Sequence, residues 1–153
     1  MKNNTPSNHN QAQSPINTDA FHRLLGFADA EWKGIMRLGR YCGLGLTDCA
    51  RLKSWNLSQD KQMLLLKVPN VKHLLKFPLG PKLTDYLMTL PNPTTPDTPL
   101  FPNCYSTEQS GLEAEFNRLL ERTDKAYSDL DFSSLHYCFH RLRTHHNLRK
   151  HAT

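Results

Sequence analysis

The sequence predicts an α+β fold, mostly α, with a helical domain around a small antiparallel β-hairpin. Apolar residues recur every three or four positions over most of the chain, as expected for helices. In the middle, two apolar runs of strand length flank Pro69-Asn70, a turn pair. Residues 1–16 are rich in Asn, Gln, Ser and Pro and contain no aromatic residue. We therefore predict a disordered polar tail over 1–16 and one domain over 17–153.

Three helices are predicted before the hairpin. The first is capped near Asn17–Asp19, where short polar side chains can accept backbone N–H groups. Asp29 caps the second, and Gly43 is its expected C-terminal stop. Thr47 is expected to cap a third, short helix that continues through Lys53.

The hairpin is predicted from strands over Met63–Val68 and Val71–Phe77. A helix over Leu79–Leu90 should follow, with Leu83, Tyr86 and Leu87 facing inward. The five prolines of 91–102 exclude a helix there and predict an extended surface connection.

The C-terminal third is predicted to contain two helices separated by a loop. Ser110 and Glu113 have the spacing of a capping box at the start of the first. The loop is expected over 124–134, and a last helix begins near Ser134–His140.

Charge is concentrated at the C-terminus. The chain carries 19 Lys+Arg against 14 Asp+Glu, a net charge of +5, and residues 133–153 contain no acidic residue. Such a focused patch favours binding to phosphate groups. An ordinary solvated helix end is the alternative interpretation, because cations also favour a helix C-terminus. The candidate DNA-binding residues are Arg141, Arg143, Arg149, Lys150 and, from the hairpin, Lys76.

Several classes of protein are excluded or not indicated. No apolar stretch approaches the roughly 20 residues of a membrane helix, so no membrane is expected as a partner. The N-terminus has no apolar core of a secretory signal, and the four cysteines are widely spaced. We therefore expect a cytoplasmic protein with no cofactor and no metal.

Four segments, in order from residue 15 onward, resemble the catalytic domain of tyrosine recombinases, the phage integrase family. The first is the opening, made of Ala20–Ala28, Glu31-Trp32 and Leu38–Leu52. The others are the hairpin through Phe77-Pro78-Leu79, then Leu100-Phe101-Pro102, and then Phe139-His140-Arg141-Leu142-Arg143-Thr144. The resemblance implies DNA recombination and DNA integration, in which a Tyr hydroxyl attacks a DNA phosphodiester. Two arginines hold the phosphate oxygens, and a hairpin lysine protonates the leaving oxygen.

The resemblance assigns candidate catalytic residues. His140 and Arg143 match the second motif of the family, and Asp48 matches the acidic residue of the first. Either Lys67 or Lys72 can be the hairpin lysine, and the sequence leaves this choice open.

Two departures predict a domain that does not cleave DNA by itself. Gly45 stands where the family has its first catalytic arginine, and the chain ends at Thr153, before the expected position of the nucleophilic tyrosine. We therefore expect a truncated recombinase-like pseudoenzyme that is the remnant of a mobile element. It should bind DNA weakly, by contacts with the sugar–phosphate backbone of the DNA. The alternatives are a recombinase subunit completed in trans by a full-length partner, and a protein-interaction module that binds another protein or self-associates.

Overall fold

A computed structural model describes residues 16–67, 70, 72–90, 95–127 and 139–142, with the backbone alone at residues 140 and 141. Within these residues the fold is α+β and mostly α, as predicted. The elements are α1 (Thr18–Leu25), α2 (Ala30–Cys42), α3 (Leu46–Ala50), β1 (Met63–Leu66), β2 (Leu75–Pro78), α4 (Pro81–Leu87), α5 (Pro102–Tyr105) and α6 (Gln109–Ala126). Two 3₁₀ turns cover Ser54–Asn56 and Phe139–Leu142.

The first two helices begin where their capping residues predict, and the second also ends at its predicted stop. The side chain of Asn17 accepts the N–H of Ala20 at 2.8 Å, and that of Asp29 accepts the N–H of Trp32 at 2.9 Å. Gly43 closes α2 in the left-handed region with φ 74°, which glycine adopts without steric cost. These local signals are confirmed.

Helix α3 differs from its prediction at both ends. It begins at Leu46, with Gly45 and not Thr47 at the N-cap position, and it ends at Ala50. Lys53 lies outside the helix and forms an antiparallel β-bridge with Pro99. The helix ends early because this bridge needs an extended backbone.

The predicted hairpin is present, but its strands are shorter than expected. Met63 pairs with Pro78 and Leu66 with Leu75, so residues 67–74 connect the strands. A two-residue turn at Pro69-Asn70 was therefore the wrong expectation; residues 68, 69 and 71 lie outside the described part of the chain. Only Leu64 and Phe77, a directly opposed pair, are buried within the two strands.

Helix α4 begins two residues later than predicted and ends at Leu87, three residues before the predicted Leu90. The N–H of Leu79 donates to the carbonyl of Gln62 at 2.9 Å, which extends the hairpin instead of starting a helix. Pro81 then occupies the first turn, where its missing N–H has no cost. Leu83 and Leu87 are buried as predicted, and Tyr86 is half-buried.

The proline-rich connection contains no helix over residues 95–101; residues 91–94 lie outside the description. Phe101 is buried at 1% exposure, as the apolar anchor predicted. Helix α5, only four residues long, was not predicted. Its N–H groups at Asn103 and Cys104 donate to the carboxylate of Glu31, a long-range cap without a local sequence signal.

Helix α6 is longer than predicted at both ends. It begins at Gln109 after Glu108, so the expected capping box of Ser110 and Glu113 does not form. It continues to Ala126, into the predicted loop over 124–134. Four residues that recur at helical spacing are buried on its inward side: Leu112, Phe116, Leu119 and Leu120. Of the predicted last helix, residues 139–142 form a 3₁₀ turn, and residues 134–138 and 143–153 lie outside the description.

Helix α2 is at the centre of the core. Ile35, Met36 and Leu38 are fully buried, and α1, α3, α4 and the turn at Phe139–Leu142 all pack against this helix. Within the described residues, no helix is both long and apolar enough to cross a membrane.

Candidate nucleic-acid interface

The bend between α2 and α3 holds the residues assigned to the first recombinase motif. Gly45 has φ −71° and ψ 164°, an ordinary extended backbone that any residue can adopt. Asp48 lies in the first turn of α3 and is exposed. The position therefore accommodates an arginine conformationally, but this chain supplies no side chain there.

The second motif lies against the C-terminal half of α2. A Cβ atom at Gly39 would be 2.5 Å from Cε2 of Phe139, so the helix approaches this ring more closely than any larger residue allows. Phe139 also makes an edge-to-face contact with Phe116, with ring centroids 5.4 Å apart. Leu142 is fully buried. These contacts fix the backbone of the second motif near the helix end that leads into Gly45.

Arg40 connects this turn to the start of the domain. Its Nη1 donates to the carbonyl of Ile16 at 2.7 Å and to that of Leu142 at 3.3 Å, and its Nη2 donates to Oγ1 of Thr18 at 3.2 Å. The side chain is 5% exposed, and its guanidinium lies 4.7 Å from the ring centroid of Phe21. Burial lowers the pKa of Arg40 below its ordinary value.

Arg51, the other arginine near Gly45 in the sequence, is also bound by the protein. It donates to the carbonyl oxygens of Cys104, Tyr105 and Thr107, at the C-terminal end of α5. Cations are favourable at such helix ends because unpaired carbonyls accumulate there. Arg40 and Arg51 thus both have structural partners within the fold.

The hairpin lysines project into solvent. Lys67, Lys72 and Lys76 are all exposed, and Lys76 lies on β2 opposite Leu65. Asn70, between the two candidate catalytic lysines, is exposed and has φ 70°. The structure therefore leaves the choice between Lys67 and Lys72 open.

Some of the predicted site segments are in contact in the structure, and others are not. The second motif meets α2 at Gly39 and Arg40, in the part of the helix that precedes the bend at Gly45. Among the described residues, no hydrogen bond joins Lys67, Lys72 or Lys76 to Phe139–Leu142. The side chains of His140 and Arg141 lie outside the description, as do Arg143, Arg149 and Lys150 entirely.

A second basic surface was missed by the sequence analysis. The ammonium of Lys53 and the guanidinium of Arg51 each lie 5.8 Å from the ring centroid of Tyr105. The ammonium of Lys67 lies 5.9 Å from the ring of Trp55. Arg51, Lys53 and Trp55 are close in the sequence, but Trp55 lies in the 3₁₀ turn Ser54–Asn56, so an alternating strand pattern does not account for this surface.

An apolar cavity of about 890 Å³ adjoins Trp55. Its walls include Trp55, Leu57, Leu90, Pro96, Pro99 and Leu100. The acidic side chain in its wall, Glu31, already accepts the two N–H groups at the start of α5. The volume lies within the range of about 300–1,000 Å³ that is usual for ligand pockets.

The cysteines in the described part of the fold are buried and have raised pKa values. Cys42, Cys49 and Cys104 are buried free thiols, and burial raises the pKa of Cys42 and of Cys104 to about 12. Thiols held in this neutral form are poor nucleophiles and poor metal ligands. Among the residues described, no group of three His, Cys, Asp or Glu side chains could hold a metal ion.

No protein-family model, no curated protein and no solved structure matches this chain. The resemblance to tyrosine recombinases therefore depends on the four sequence segments alone.

Proposed function

We propose that this chain is a DNA-binding domain of the tyrosine recombinase type, with a phosphate clamp that lacks one arginine. The supporting observation is the contact between the second motif and α2. Arg40 and Leu142, which are 102 positions apart, are hydrogen-bonded. Arg40 lies in the last turn of α2, the helix that leads into the bend with the first motif. A recombinase-type site requires these two motifs to meet, although they are distant in the sequence.

The electrostatics also favour DNA as the partner. Three lysines of the hairpin and its loop are exposed, and the chain as a whole has a net charge of +5. Exposed lysines bind phosphates by charge and release condensed counterions, which makes the affinity dependent on salt. Duplex binding of this kind is weak and not specific for sequence.

Strand cleavage by this site is expected to be strongly impaired. Gly45 supplies no donor to the phosphate oxygens, while Arg40 and Arg51 are bound to carbonyl groups. Loss of one transition-state donor costs about 10²- to 10³-fold in rate. The chain is therefore proposed to bind DNA without appreciable cleavage on its own.

Fluorescence anisotropy with a labelled DNA duplex tests this proposal. The slope of log K against log[salt] should decrease by about 2 to 3 when Lys67, Lys72 and Lys76 are all replaced by Ala, since each phosphate contact contributes about 0.9. Lys125→Ala, an exposed lysine of α6, is the matched control and should leave the slope almost unchanged. Absence of duplex binding at low salt would overturn the proposal.

A gain-of-function variant gives an independent test. Gly45→Arg restores a guanidinium at a position whose backbone is not strained. It should tighten duplex binding and increase the salt slope by about 1, whereas Ser110→Arg on the exposed face of α6 should add less. Equal effects of the two variants would show that Gly45 is not beside the bound phosphate.

A further inference from the structure

The surface around Trp55 combines an exposed lysine, a half-buried lysine and aromatic rings. Lys67 is exposed and lies over Trp55, and Lys53 lies over Tyr105, while both rings are half-buried. The partner of Lys53 is Asp97 at 3.9 Å, but the Asp97 side chain is 84% exposed. Water-exposed ion pairs of this kind contribute little, so Lys53 can exchange this carboxylate for a phosphate.

The cavity beside Trp55 has the walls that a nucleotide base requires, whereas the lysines described above suit its phosphates. Its walls are mainly apolar, and Trp55 offers an aromatic surface within it. Pro99, another wall residue, is bridged to the backbone of Lys53, so the chain that carries this lysine runs along that side of the cavity. Lys67 supplies a second cation at the Trp55 ring.

We propose that this surface binds single-stranded DNA, with one base stacked on Trp55 in the cavity and the flanking phosphates on Lys53 and Lys67. Proteins that bind single strands combine a cationic path for the backbone with aromatic rings for the bases. A paired base cannot enter such a cavity, because its faces are covered by neighbouring bases. The site shares Lys67 with the duplex surface proposed above and adds Lys53, Trp55 and the cavity, so it goes beyond that proposal.

Intrinsic fluorescence can report on this site directly. The chain has two tryptophans, and Trp32 is 3% exposed and stacked on Phe116 with centroids 6.2 Å apart. The variant Trp32→Phe therefore leaves Trp55 as the sole tryptophan. At low salt, a thymidine oligonucleotide should quench its fluorescence, whereas an abasic oligonucleotide of equal length should not. No quenching by the thymidine strand, or equal quenching by both, would overturn the proposal.

Replacement of the ring and the cations separates their contributions. Trp55→Leu should weaken single-strand binding by about 5- to 150-fold, the usual effect of removing one stacking ring, and Trp55→Phe should restore most of it. Lys53→Ala and Lys67→Ala should each reduce the salt slope by about 0.7, with Lys125→Ala as the unaffected control. If Trp55→Leu and Trp55→Phe bind equally, stacking is refuted even where one variant is less stable.

The same titrations distinguish this inference from the recombinase-type proposal. Quenching of Trp55 by the single strand, without any binding of duplex, would support the inference and remove the proposed duplex function. Duplex binding without quenching by the single strand would support the proposed duplex function and overturn the inference of a single-strand site.

Discussion

Replacement of Arg40 by Met tests whether one buried guanidinium holds the second motif in place. The variant keeps a long side chain that can still pack on Phe21. It removes three hydrogen bonds, to the carbonyls of Ile16 and Leu142 and to the hydroxyl of Thr18. The change therefore separates hydrogen bonding from packing at this position.

The expected loss of stability follows from those contacts. A buried carbonyl that loses its donor costs about 1–3 kcal/mol, and two carbonyls are affected. Part of this cost is offset because methionine, unlike the 5% exposed guanidinium, has no buried charge to desolvate. We expect a net loss of about 2–4 kcal/mol. For a chain of this size, each kcal/mol lowers Tm by about 2–4 °C, so Tm should fall by about 4–16 °C.

Thermal unfolding followed by circular dichroism measures the size of the effect, and hydrogen exchange locates it. Amides of residues 139–142 should lose protection in Arg40→Met, while those in the middle of α6 keep it. Arg51→Met is the matched control, because Arg51 also donates to three carbonyls, but at the end of α5. It should leave residues 139–142 protected. An unchanged Tm, or unchanged exchange at residues 139–142 in Arg40→Met, would refute the reasoning.

Three further predictions concern other contacts of the fold. Gly39→Ala places a methyl group 2.5 Å from the ring of Phe139, so it should cost about 1–3 kcal/mol in urea unfolding; a neutral effect would show that the ring moves freely. Asp29→Ala removes the cap of α2 and should cost about 0.5–2 kcal/mol, whereas Asp29→Asn should cost less. Because Cys42 and Cys104 have a pKa of about 12 when folded, the unfolded chain binds fewer protons above pH 9, and stability should fall there by about 1.4 kcal/mol per pH unit for each thiol. Urea titrations of the double Cys→Ser variant between pH 8 and 11 should show a flatter dependence, and an equally steep one would contradict the assignment.

Features encoded by short stretches of sequence were predictable. The caps at Asn17 and Asp29 and the stop at Gly43 use residues whose side chain or backbone preference acts within three or four positions. The hairpin was predictable from two apolar runs with a turn pair between them. Its strand ends were not, because the register depends on Leu64 and Phe77 packing into the core.

Features that depend on distant partners were not predictable. Helix α5 is held by Glu31, more than 70 positions away, and Arg51 is bound to carbonyls more than 50 positions away. Nothing near either residue indicates these partners. In the candidate site, exposure of the hairpin lysines was predictable from composition, but the roles of Arg40 and Trp55 required the fold.

The position of Arg40 has a consequence for how the core opens. One nitrogen atom binds the carbonyls of Ile16 and Leu142, so the residue before α1 and the last 3₁₀ turn share a single donor. Because the same side chain holds both segments, a local opening that moves Arg40 releases both carbonyls. We therefore expect the start of α1 and the turn at Phe139–Leu142 to open as one cooperative unit.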